Sequence, residues 1–295
     1  MNVFLTGSTG FVGTQILSDL KKEGYRVRAL VRRGSESKLR DPREVEVVSG
    51  DVTEPESLRG KMAGCDAVIH LVGIIREFPQ KGITFKRLNF DATKNIVDTA
   101  RKEGIQRFLH MSVLGSRLNT KAKYHQTKYL AEEYVTGSGL DYTIFRPSVI
   151  FGPEDEFINI LANMIKRMPL FPVAGKGDYR LQPVALEDVS TGFINSLSSS
   201  YTIGKTYDVG GVEKLKYIEL IDIIGRILGK KVRKVYLPIW FIVKMVRLMS
   251  IVPGFPITYD QLTMLIGDNT CDERGFIRDF DISPTLFEKG IIRYL

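Results

Sequence analysis

The sequence predicts an α/β protein: a doubly wound parallel sheet followed by a smaller, mostly helical C-terminal lobe. Three observations lead there. A glycine-rich turn stands between an apolar strand and an amphipathic run at the very start. Short β-rich apolar runs then alternate with helix-length segments to about residue 150. Beyond Pro153 the alternation weakens, and prolines at 169, 172, 183, 238, 253, 256 and 284 punctuate shorter pieces. Parallel strands need crossover connections, so strands alternating with helices imply a sheet covered on both faces.

Taken in order, residues 3–5 read as a buried strand, and Val12, Ile16, Leu17 and Leu20 as the apolar stripe of a helix. Between them "TGSTGFVG" (6–13) carries glycines three residues apart. Gly7 permits a tight turn, Gly10 lets a diphosphate approach the backbone, and Gly13 lets the helix pack closely on the sheet. The helix start adds N–H groups and the positive end of its dipole. The stretch therefore predicts a Rossmann dinucleotide site formed by Gly7, Thr9, Gly10, Phe11, Val12 and Gly13. Further strands are expected at 26–31, 45–48, 67–71, 107–111 and 142–145, with a return to the sheet near 205–209. Residues 1–152 read as the nucleotide-binding domain, rejoined by about 178–211, and 153–295 as a smaller lobe for substrate or partner.

The second strand ends in Arg32 and Arg33, where NAD-binding folds usually carry an acidic residue for the adenosine ribose. A guanidinium binds a ribose 2′-phosphate bidentately and a carboxylate repels it, so NADP(H) is preferred and NAD(H) is the alternative. Asp51, after the third strand, can meet the adenine amino group, with Val52 against the ring; Leu71 and Gly73 end the fourth strand on the ligand side. In "KYHQTKYLAEEYV", Tyr124 and Lys128 share one face of a helix. An ammonium near a phenol lowers its pKa from about 10, and the pair can move a proton to or from a carbonyl while hydride passes to or from the nicotinamide. Tyr201 and Lys205 repeat the spacing across a glycine turn and read as a decoy.

The composition, with 43% hydrophobic and 26% charged residues, is that of a soluble globular chain. A strand within the first few residues argues against a cleaved signal peptide, and no apolar run reaches the roughly 18 residues of a membrane span. Cys65 and Cys271 suit a reducing cytoplasm; neither they nor the scattered His70, His110 and His125 have metal-ligand spacing, so no metal is expected. Much of the +8 charge sits in residues 223–259, where Arg226, Lys230, Lys231, Arg233, Lys234, Lys244 and Arg247 occur with no acidic residue. No nucleic-acid recognition motif accompanies them, so no nucleic acid is expected. The segment also holds "PIWFIVKMVRLMSIVP" (238–253), which at about 1.5 Å per residue is too short to cross a core of about 30 Å. Two readings stand for it: a helix lying on an anionic membrane surface or membrane complex, or a wall of the substrate lobe.

The glycine triplet, Asp51, the Tyr-x-x-x-Lys pair and "FRPSVIFGP" (145–153), continuing through "QPVALEDVS" and "TYDVGG", resemble the extended short-chain dehydrogenase/reductase superfamily. The resemblance covers at least residues 1–211. It implies that Asn89 helps orient the active-site lysine, that Pro147 and Val149 line the nicotinamide pocket, and that Arg146 is structural. The family's catalytic Ser or Thr registers near Val113, so the tetrad departs from the pattern, with Ser112 and Ser116 the nearest hydroxyls. "PITYDQLTMLIGDN" (256–269) is similar to the atypical branch of the NADPH-binding accessory subunit of respiratory complex I. Three functions follow as expectations: an oxidoreductase acting on an apolar, quinone-like or lipid-like carbonyl; a non-catalytic NADPH-binding module of a membrane assembly; and, third, a nucleotide-sugar epimerase or dehydratase. The expected location is cytoplasmic, peripheral on the membrane if the basic helix meets lipid.

Overall fold

The computed structural model describes residues 1–249 and 258–295. In chain order the first half forms β1 (Asn2–Thr6), α1 (Phe11–Lys22), β2 (Arg26–Val31), β3 (Val45–Ser49), α2 (Pro55–Leu58), β4 (Ala67–His70), α3 (Ala92–Lys102), β5 (Arg107–Met111), α4 (Lys123–Thr136) and β6 (Asp141–Pro147). The second half continues with β7 (Ile150–Phe151), α5 (Glu156–Arg167), β8 (Phe171–Ala174), β9 (Arg180–Leu181), β10 (Val184–Ala185), α6 (Leu186–Ser198) and β11 (Lys205–Val209). It ends with β12 (Leu215–Lys216), α7 (Tyr217–Ile227), β13 (Lys234–Leu237), α8 (Ile239–Met249), α9 (Tyr259–Ile266), α10 (Arg274–Asp279) and α11 (Phe287–Ile291).

Among the described residues the main sheet has seven strands in the order β11-β6-β5-β4-β1-β2-β3. All its pairings are parallel. Alternating side chains of one strand serve opposite faces. Val3 and Leu5 join Ile16, Leu20, Phe145, Val189 and Phe193 beneath α1 and α6. Phe4 joins Val68, Phe108, Ile96 and Val97 beneath α3. Double coverage explains why β4 is buried throughout, whereas β3, at the sheet edge, has three of its residues exposed. The chain returns to the first of these cores with α6 and β11, and again with Phe276 of α10 and Phe280 just after it.

A separate apolar core brings α5, α7 and α11 together around Ile158, Leu161, Leu220, Ile221 and Phe287. The short ribbons β7/β10, β8/β13 and β9/β12 attach to this lobe. The basic apolar segment expected at 238–253 is helical as α8; its last four residues lie outside the described ones. No described helix is long and apolar enough to cross a membrane.

Candidate active site

The sheet order reverses between β1 and β4, whose C-terminal ends are the place where doubly wound folds bind ligands. Gly7 turns the chain there with φ +79°, and a Cβ on it would lie 3.2 Å from Leu71 Cβ. Gly10 N–H donates to Gly7 O at 3.0 Å, closing the turn. A Cβ on Gly13 would sit 2.0 Å from Gly7 O, so this glycine seats α1 against the turn's own backbone, where close packing on the sheet was expected. No side chain caps α1 and no acidic residue stands in its first turn. Ser8 Oγ is buried without a partner. Uncapped N–H groups, backbone too close for any side chain and an orphaned hydroxyl together fit a diphosphate.

Arg32, Arg33, Ser35, Gly50 and Asp51 line one open cleft of about 580 Å³ beyond the ends of β2 and β3. Both arginines are exposed, and among the described residues neither makes an ion pair. Asp51 Oδ1 accepts from Thr53 N–H and Thr53 Oγ1, both at 2.8 Å, so part of this carboxylate shapes its own loop. Val52 is packed with Leu30 and Leu58 and only 6% exposed, which leaves little of it for an adenine ring.

The proton-transfer candidates converge on α4. Tyr124 and Lys128 are buried on one face of it, with Glu132 one turn further. Lys128 Nζ donates to Met111 O at 2.5 Å. A Cβ on Gly73 would lie 3.7 Å from Lys128 Nζ and 3.3 Å from Asn89 Oδ1, so at Gly73 the segment that follows β4 passes close to both groups. Asn89 rises from a widened π-type turn, Lys86–Asp91. Its Oδ1 accepts from Ile74 N–H at 2.9 Å and its Nδ2 donates to Thr127 Oγ1 at 3.4 Å. Asn89 thus fixes the Ile74 backbone beside the lysine, and the lysine itself is held by a carbonyl of β5.

Burial also reverses one electrostatic expectation. The Tyr124 phenol, packed against Phe85 and His125 at ring separations of 5.7 and 5.6 Å, is pushed up from its usual value by desolvation, with no ammonium pulling it down. Desolvation lowers Lys128 to about 8, with Glu132 acting in the opposite sense. Lys128 thus stays largely protonated at neutral pH and loses its charge only as pH passes about 8.

The two serines after β5 divide clearly. Ser116 Oγ donates to Glu132 Oε1 at 2.6 Å, within a half-buried network in which Arg146 Nε donates to the same oxygen at 3.0 Å. Ser112 is 4% exposed and its Oγ has no partner. Pro147 is buried at the end of β6, where its carbonyl accepts Leu114 N–H at 2.9 Å, and Val149 packs toward the C-terminal lobe. Tyr201 and Lys205 lie at the opposite, N-terminal end of β11, where the Lys205 ammonium stacks over an exposed phenol ring. His70 bonds Thr6 Oγ1 at 2.7 Å and Thr93 Oγ1 at 3.1 Å, stacks on His110, and is lowered by burial to about 3.

Three partners escaped the sequence reading. The Met111 carbonyl carries no residue signal. Glu132 stands four residues past Lys128 and could have been read as its helix neighbour. Asp260, on α9 of the other lobe, accepts Lys123 N–H at the otherwise uncapped start of α4.

A family model described as NAD(P)H-binding matches residues 7–160. The chain is 30% identical over 240 residues to "NADH dehydrogenase [ubiquinone] 1 alpha subcomplex subunit 9, mitochondrial" of Arabidopsis thaliana, covering 79% of this chain and 59% of that protein. It is 32% identical over 188 residues to a ceramide reductase of Caulobacter vibrioides, covering 64% and 58% of the two chains. The chain thus spans less than two thirds of the length of either relative. A nucleoside-diphosphate-sugar epimerase structure from Staphylococcus aureus shares the fold, with a TM-score of 0.80 at 21% identity over 99% of this chain and 100% of that one. By the family match, which spans more than half of it, the chain belongs to the NAD(P)H-binding family.

Proposed function

We propose that this protein is an NADP(H)-dependent oxidoreductase that reduces a carbonyl on an apolar molecule. The observation that carries the reading is a buried Tyr124 and a buried Lys128 on one face of α4, the lysine fixed by Met111 O, with the unpartnered Ser112 hydroxyl on the residue next to Met111. Burying an ammonium and leaving a buried hydroxyl unpaired both cost stability, which a role in binding or proton transfer accounts for.

The turn of Gly7, Gly10 and Gly13 holds the diphosphate at the start of α1, Arg32 and Arg33 take the ribose 2′-phosphate, and Asp51 meets the adenine. Bound NADPH supplies the hydride. Lys128, as the ammonium, binds the nicotinamide ribose. Ser112 donates a hydrogen bond to the substrate oxygen, and Tyr124 gives that oxygen its proton, recovering one from solvent after the alcohol leaves. A phenol held protonated by burial supports the reductive direction. Pro147 and Val149 border the nicotinamide. The likeness to a ceramide reductase and to complex I subunits supports an apolar, membrane-borne substrate and an association at a membrane.

Cofactor choice is tested at Arg32. Arg32→Asp weakens NADPH binding by roughly 10- to 100-fold, the value of about 1.4–3 kcal/mol for a charge-assisted contact turned repulsive, and changes NADH binding far less. Titration of both nucleotides by fluorescence gives the ratio. Equal losses for the two would remove the 2′-phosphate contact from the account.

The second reading, a non-catalytic NADPH-binding module, is favoured by Val113: the resemblance implies a catalytic hydroxyl near this position, and a valine supplies none. It uses the same cradle and predicts a nucleotide that is retained.

A further inference from the structure

We propose that α8 docks this protein on an anionic lipid bilayer. The residues of this surface take no part in the proton transfer, so the inference does not depend on the reaction.

α8 has two different faces. Ile242 and Val246 point inward and pack with Ala174 and Leu262 in a small core of their own. The opposite face carries Trp240, Lys244, Arg247 and Leu248, at positions i, i+4, i+7 and i+8, with Phe241 beside them. Trp240 is 68% exposed, Leu248 71% and Phe241 44%. A helix that already contributes an apolar face to its own lobe does not need large apolar side chains on the other. Arg247 already stacks over the Tyr259 ring of α9, 4.4 Å from its centroid, and Lys244 is the cation displayed with them. Aromatic and aliphatic groups beside a lysine are the composition of a helix that lies in a membrane interface, with the apolar groups in the acyl boundary and the ammonium at the headgroups.

Charge selects the occupant. Between residues 223 and 259 there is no carboxylate. Arg226 and Lys234 are engaged by Glu288 and Asp222, which lie outside that stretch. Lys230, Lys231 and Arg233 border a recess of about 320 Å³ floored by Ile165, Met168 and Phe171, just before the strand that leads into α8. An apolar helix face with cations on it and before it complements anionic headgroups, and each cation near such a surface adds to binding until salt screens it. α9, which packs on α8, holds the start of α4 through Asp260, so the docking element is one helix away from Tyr124.

The chain's single tryptophan is Trp240, so its emission reports on this face alone. The full-length protein is mixed with phosphatidylcholine vesicles, with or without phosphatidylglycerol, and emission and co-sedimentation are followed at low and high salt. Docking gives a blue shift and sedimentation with the anionic vesicles at low salt, both reduced by high salt. The double variant Phe241→Asp, Leu248→Asp loses both signals while NADPH binding, measured on the same sample, confirms that it is folded. Lys231→Glu with Lys244→Glu weakens binding by roughly tenfold or more. Unshifted emission with anionic vesicles, equal binding to neutral vesicles, or unimpaired binding by the double aspartate variant overturns the proposal. So does a concentration-dependent shift without lipid, which would mean that a second copy covers the face.

Discussion

Gly13→Ala weakens nucleotide binding and destabilises the fold, whereas Gly10→Ala weakens binding strongly and leaves the fold intact. The difference follows from what each methyl group meets. At Gly13 it would lie 2.0 Å from Gly7 O, 2.7 Å from the Gly7 carbonyl carbon and 2.9 Å from Ser8 Cα, all backbone, so α1 and the turn must separate. Forced overpacking of this kind costs about 1–3 kcal/mol of stability. At Gly10 the added carbon meets only Gly7 O, at 3.3 Å, which a small shift relieves. The ligand is a different matter: a methyl there occupies the approach of the diphosphate, and loss of roughly 100-fold in NADPH affinity corresponds to about 2.7 kcal/mol. Urea unfolding and NADPH titration of the two variants separate the effects. A Gly10→Ala protein that binds NADPH normally would move the nucleotide away from this turn.

Tyr124→Phe lowers kcat by about 10²- to 10⁴-fold, the range for removing a positioned general acid, and changes NADPH affinity by less than about threefold. The split matters because Tyr124 is also core, packed on Phe85 and His125. Phenylalanine keeps that packing and removes only the hydroxyl. Single-turnover oxidation of NADPH, with whichever apolar ketone or aldehyde the wild-type protein reduces fastest, gives the chemical step directly. Wild-type kcat in the variant would exclude Tyr124 as the proton donor and favour the non-catalytic module.

The strands were legible where apolar β-formers fill them. Residues 26–31, 107–111 and 205–209 pair over the bounds their composition suggests. β6 runs further than 142–145, through Arg146 and Pro147, because those residues pair with Asp208 and Val209 of β11; a strand end defined by its neighbour leaves no local pattern. The two-stranded ribbons of the C-terminal lobe, such as β8 with β13, depend on contacts 63 residues apart in register, from Phe171 to Lys234, and were equally hidden.

The site divides in the same way. Gly7, Gly13, Tyr124 and Lys128 were readable because their chemistry or backbone freedom belongs to the residue itself. What surrounds them was not. Lys128 is fixed by a backbone carbonyl, Tyr124 is desolvated by Phe85 from a distant loop, and Glu132 looks like a solvated helix charge yet is only 2% exposed beside Arg146. Ser112 and Ser116 are indistinguishable in sequence; only the ion pair that absorbs Ser116 leaves Ser112 as the available hydroxyl. The direction of the Tyr124 shift was misread for the same reason, since desolvation is a property of the packed interior.

Exchange of bound nucleotide tests the central claim most directly. Protein loaded with labelled NADPH is challenged with excess unlabelled NADPH or NADH, and release is followed in time. An oxidoreductase that draws on free cofactor must release it in every turnover, so the account predicts exchange within seconds, driven by NADPH far better than by NADH. Retention of the label for hours would contradict it, and would identify the nucleotide as a fixed part of the fold.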